Sequence, residues 1–78
     1  MMENIKLSLE GYDGWTLVSH YFEAENQFGV GVVGKNPLGT YSGYAIPVQA
    51  TNHEQAILKA TPALMAWLDE RLTVWGEA

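Results

Sequence analysis

From Ile5 to Glu10 apolar and polar residues alternate, with Ile5, Leu7 and Leu9 set against Lys6, Ser8 and Glu10. A period of two predicts a strand with one polar face. Gly11-Tyr12-Asp13-Gly14 has turn chemistry, because glycine takes positive φ without steric cost. Trp15 to Ala24 is rich in aromatic and β-branched residues and reads as a second strand. Glu25-Asn26-Gln27 then serves as a short connection to a third strand, Phe28 to Lys35. Asn36-Pro37-Leu38-Gly39 is a further turn, and Thr40 to about Val48 a fourth strand. Pro47 cannot donate to a ladder, so it demands an edge, a bulge or the strand's end.

The period then changes. Thr51-Asn52-His53-Glu54 matches a capping box, predicting a helix from Glu54 to Ala60. Thr61-Pro62 offers either a second helix start, with proline at the first helical position, or a kink in one long helix. Leu64, Leu68, Leu72 and Trp75 fall on one face at helical spacing, with Trp67 beside them. Asp69, Glu70 and Arg71 fall largely opposite, and Gly76 closes the helix. The expected fold is α+β: one domain over residues 1–78, a four-stranded antiparallel β-meander followed by a C-terminal helix on one sheet face, with continuous, kinked and broken forms at Pro62 all left open.

Centring each hairpin on its turn puts residues of like parity on one face. The odd face then collects Ile5, Leu7, Leu9, Trp15, Leu17 and Tyr21, and continues over Gly29, Gly31, Val33, Tyr41, Gly43 and Ala45. The even face collects Val18, His20, Phe22, Phe28, Val30, Val32, Tyr44, Ile46 and Val48. Both are apolar, and one helical segment is available to cover them. The helix is expected on the odd face, where Gly29, Gly31 and Gly43 permit close approach and Leu64, Leu68 and Leu72 meet Ile5, Leu7 and Leu17. Phe22, Phe28, Val30, Tyr44 and Ile46 are then left exposed as a partner-binding patch, of a size that marks interaction sites. The competing arrangement breaks the helix at Pro62 and lays its halves over both faces.

Charge changes the picture. Asn26 to His53 holds one charged side chain, Lys35, and five of the eight glycines, whereas the flanks together carry a net −6. With a net charge of −5 and four scattered basic residues, the chain cannot present the basic track that a nucleic-acid backbone requires. It suits instead a basic protein surface, including one that ordinarily holds nucleic acid. Glu10, Asp13, Glu23 and Glu25 near the ends of the second strand are candidates to stand in for phosphates there. There are no cysteines, hence no disulfide framework or thiolate metal site. The N-terminus has no signal-peptide pattern, and no apolar run approaches the ~20 residues needed to span a bilayer. A cytoplasmic location without membrane contact is expected.

Motifs of chemistry are weak. Gly29-Val30-Gly31-Val32-Val33-Gly34 spells G-x-G-x-x-G but lies inside a strand and runs on into a turn, not into the helix a pyrophosphate needs. His20 and His53 lack carboxylates at ligand spacing, and His53 reads as a solvated first-turn residue. Ser8, Ser19 and Ser42 have no nucleophile-elbow setting. Tyr41 and Tyr44 without basic neighbours do not make a base-stacking platform. No catalytic, cofactor or metal site is expected. The sequence points to a non-enzymatic protein-binding module, a stoichiometric inhibitor of the phage or mobile-element type (anti-CRISPR or anti-nuclease), or alternatively to a homodimeric, higher homo-oligomeric or viral structural subunit.

Overall fold

The computed structural model describes residues 3–76. Met1 and Met2, which begin the leader-free N-terminus expected above, and Glu77, counted among the acids, lie outside the described residues. The alternating segments form β1 (Ile5–Ser8), β2 (Trp15–Phe22), β3 (Gln27–Lys35) and β4 (Tyr41–Val48), and the helix α1 runs from His53 to Gly76. The four strands make one antiparallel sheet in chain order, and α1 packs on it across β2, β3 and β4. The α+β meander with a C-terminal helix is therefore the observed fold.

Each connection is set by local chemistry. Tyr12 N–H donates to the Leu9 carbonyl and Trp15 N–H to the Tyr12 carbonyl, while Gly11 and Gly14 both adopt φ of +84°. Asn36 organises the β3–β4 turn: its Oδ1 accepts from Leu38 and Thr40 N–H, and its Nδ2 donates to the Thr40 and Ser42 hydroxyls. The β2–β3 connection consists of a 3-10 turn, Glu23–Glu25, closed by Asn26 in the left-handed region at φ 49°.

That last connection decides which face is which. Phe22 pairs with Gln27, so four residues separate the paired positions and odd residues of β2 stand opposite even residues of β3. The β3–β4 turn leaves five residues between Lys35 and Tyr41, and even residues there face even. The covered face is thus Trp15, Leu17, Ser19 and Tyr21 on β2, with Phe28, Val30 and Val32 on β3 and Tyr44, Ile46 and Val48 on β4. The helix does not cover the glycine side, contrary to the expectation from hairpins centred on their turns. A three-residue connection centred on Asn26 would have kept parity; the four-residue one inverts it.

The helix is one continuous element. Its N-cap is Asn52, whose Oδ1 accepts the Gln55 N–H at 2.8 Å, while Gln55 Oε1 accepts the Thr51 N–H at 2.9 Å. The cap thus sits one residue later than the Thr51–Glu54 reading, and its return bond reaches Thr51 in place of the N-cap's own N–H. Pro62 lies inside α1 at an exposed position, where its ring removes a bond to the preceding turn. Ala56 and Ala60 before it and Leu64 and Leu68 after it are all fully buried against the sheet. This unbroken stripe at i, i+4 spacing holds both halves in line, so neither a break nor a second covered face results.

The core comprises Trp15, Leu17, Phe28, Val30, Val32 and Val48 from the sheet with those four helical residues. In the first turns of α1 the residues facing the strands are alanines, Ala56 and Ala60. Toward the other end aromatics fill the space between helix and sheet: Trp15 stacks on Trp75 at 5.9 Å and meets Trp67 edge-on at 6.3 Å. Gly34, opposite Trp15 in register, makes room for the indole, since a Cβ there would lie 2.5 Å from its ring.

Candidate functional site

The uncovered face is built from the alternate residues of the same strands. Across it run Lys6, Val18, Gly31 and Ala45 in one row, and Ser8, Thr16, Val33 and Gly43 in the next. His20, Gly29 and Pro47 form a third row, and Lys35 beside Tyr41 ends the face. The glycines and Ala45 make an open trough of about 460 Å3 along the β3–β4 side, walled by Val18, His20 and Phe22. The Phe22 ring leans over Gly29, where a Cβ would approach it to 2.6 Å, and meets His20 edge-on at 4.4 Å. The floor is not free to be refilled, because a Cβ at Gly31 would come within 2.8 Å of Ala45 Cβ and the Tyr44 carbonyl. A second, smaller groove lies between β1 and the first half of α1, lined by Ile5, Leu7, Glu54, Ile57 and Leu58. The expected packing of Leu64, Leu68 and Leu72 on Ile5 and Leu7 is replaced there by half-exposed Leu7.

The five apolar residues expected on the exposed patch divide between the faces. Phe28 and Val30 are core residues with 1% and 0% of their surface exposed, and Ile46 is half-buried against them. Tyr44 also belongs to the covered face; it is 40% exposed at its edge and stacks on Trp67 at 5.4 Å. Only Phe22, 45% exposed, stands on the open face. Val18 stays on the open face as parity placed it, whereas Val33 and Tyr41, assigned to the covered side, stand on the open face too, 42% and 78% exposed. The signal that could have found them is the loop itself: Glu23-Ala24-Glu25-Asn26 ends in a residue suited to the left-handed conformation that closes a four-residue turn.

The four acidic candidates are real neighbours only in pairs. Glu10 and Asp13 lie in the β1–β2 turn, whereas Glu23 and Glu25 lie in the β2–β3 turn. β2 separates them by roughly 23 Å at ~3.3 Å per residue. Tyr12 ties the first pair to the helix: its hydroxyl donates to Asp69 Oδ1 at 2.7 Å. The same hydrogen bond, with the nearby carboxylate charge, raises the Tyr12 pKa above its ordinary value. One end of the body therefore carries Glu10, Asp13, Asp69 and Glu70, the last in contact with Arg71. The other carries Glu3, Glu23, Glu25 and Glu54. No acid occurs in any of the four strands.

His53 is buried, not solvated. As the first residue of α1 it faces the sheet, its Nδ1 is 2.7 Å from Ser19 Oγ, and its ring stands edge-on to Phe28 at 5.0 Å. Its Nε2 has no hydrogen-bond partner among the described residues. The spacing is that of a nucleophile and its base. Yet Ser19 has 0% of its surface exposed, so no substrate can approach its oxygen. The pair instead pins β2 to the first turn of α1. His20, on the open face, pairs through Nδ1 with Asn4 Oδ1. Glu23 and Glu25 lie beyond the end of its strand, and no cluster of three metal-ligating side chains forms among the described residues.

No helix among the described residues is long and apolar enough to cross a membrane. No protein family, no curated protein and no solved structure matches this chain.

Proposed function

We propose that this chain is a non-enzymatic protein-binding module that acts by stoichiometric occupation of a basic surface on a larger, nucleic-acid-handling partner. The observation that carries this reading is the placement of charge on an elongated body of 41 × 21 × 19 Å. All eight described acids sit toward its two ends or in its turns, and the sheet between them has none. Two negative ends about one strand length apart suit a groove whose cationic residues are spaced to track a nucleic-acid backbone. Such charge arrangement steers encounter and fixes orientation more than it adds affinity. Inhibitors of the anti-CRISPR and anti-nuclease type, encoded by phages and mobile elements, work by this kind of occupation.

The test couples capture to charge. The tagged protein is used to isolate its partner from host lysate, and the complex is challenged with salt, with short duplex competitor and with the variant E10Q/D13N/E23Q/E25Q. The reading expects a nucleic-acid-handling partner that competitor displaces, with affinity reduced at least about 10-fold by the four neutralisations and by raising salt from 50 to 200 mM. Recovery of a partner indifferent to competitor, salt and neutralisation would contradict it.

A further inference from the structure

We propose that the open face of the sheet is a homodimer interface, occupied by the same face of a second copy. The first argument is shape. A two-fold interface brings a patch against itself, so knobs and holes must occur on the same patch. This face carries Phe22, Val33 and Tyr41 as half- to largely exposed knobs. Beside them lies the trough floored by Gly29, Gly31, Gly43 and Ala45. Two sheets packed face to face stand ~10 Å apart and fill that space by setting large residues over small ones. A flat glycine floor leaves the space empty unless the facing sheet fills it.

The second argument is charge. The face bears no acid, and its only Lys or Arg residues are Lys6, on the β1 edge, and Lys35, at the end of β3. Their long stems can lie along the interface while the amines reach solvent at its rim. Association through this face buries no carboxylate. It also leaves the acidic ends outside, where the proposed partner reads them, so the two inferences concern different surfaces and stand or fall separately.

The third argument is area. At ~4.8 Å between strands and ~3.3 Å per residue, this face covers roughly 450 Å2 per copy in projection. Two copies hide roughly 900 Å2 before side-chain relief is added, close to the ~1,000 Å2 that a specific interface requires. An interface of this size belongs to the weak or transient class, not the obligate one.

Sedimentation at protein concentrations from about 1 to 300 µM tests this directly. The wild-type protein is expected to rise from the 8.6 kDa of one chain to twice that mass across this range. V33K/A45K places new cations in the face and is expected to stay monomeric with an unchanged helical circular dichroism signal. L58K adds a cation on the exposed side of α1 and is expected to dimerise as the wild type does. Because V33K/A45K could unfold, A45C gives a second readout in a chain with no cysteine of its own. Its thiol is expected to react with maleimide at least about 5-fold more slowly at 300 µM than at 1 µM, while L58C reacts at one rate throughout. A wild-type protein that stays monomeric at 300 µM overturns the proposal. So does a folded V33K/A45K that still dimerises, or an A45C rate independent of concentration.

Discussion

The two faces of this sheet are made from the same strands, yet one is a core and the other an open surface. On β3 they alternate residue by residue: Phe28, Val30 and Val32 are buried, whereas Gly29, Gly31 and Val33 look outward. What separates them is partner size. The covered face presents large side chains to a helix whose first half offers alanines and whose second half offers leucines and tryptophans. The open face presents glycines with a few large residues between them, a relief that a helix lying across it would not fill. Apolar composition alone therefore does not say which face a helix will take; volume complementarity does.

The largest effect that can break this comparison comes from the two phenylalanines of the β2–β3 hairpin. Phe28→Ala empties a fully buried site between Tyr21 and His53 and is expected to cost about 3–5 kcal/mol. Phe22→Ala removes a ring that rests on Gly29 at the surface and is expected to cost under about 1 kcal/mol. Urea titrations followed by tryptophan fluorescence measure both. Equal losses would mean that the faces are not distinguished as described.

A smaller effect sharpens the view of the acidic end, where the β1–β2 turn meets α1. Tyr12 donates to Asp69, and both this bond and the carboxylate charge raise its pKa in the folded state. A raised folded pKa gives a contribution that is complete below the unfolded value near 10 and is lost as pH rises through the folded value. Wild-type melting temperature is therefore expected to fall more steeply above pH 10 than that of Tyr12→Phe, with parallel curves from pH 7 to 9. Parallel curves throughout would remove this contact from the account.

Strand order and the β3–β4 turn at Asn36 were legible because alternation and turn chemistry are local, and Pro47 took the edge, one of the three placements open to it. The partition of faces was not, because it depends on counting residues through one loop. The strand pattern reads on through Ala24, yet the chain turns directly after Phe22, and that count moves Phe28 and Val30 from surface to core. Continuity through Pro62 was also out of reach of propensity, since it rests on the buried stripe from Ala56 to Leu68. The same holds for His53, polar and in a first turn, whose burial depends on Ser19 lying opposite across the fold. Among the candidate site residues, Phe22 and the two acidic pairs kept exposed positions, while the rest of the apolar set changed sides with the register.

The central claim, that parity inverts between β2 and β3 so that α1 covers the even side of β3, is tested most directly at two adjacent residues. Val32→Cys and Val33→Cys each introduce the sole thiol, and maleimide labelling is followed under native conditions at about 1 µM. The account expects Val33→Cys to react within about 10-fold of a free thiol. Val32→Cys is expected to react at least about 1,000-fold more slowly, through opening of the fold. Fast labelling at position 32 with protection at position 33 would contradict it.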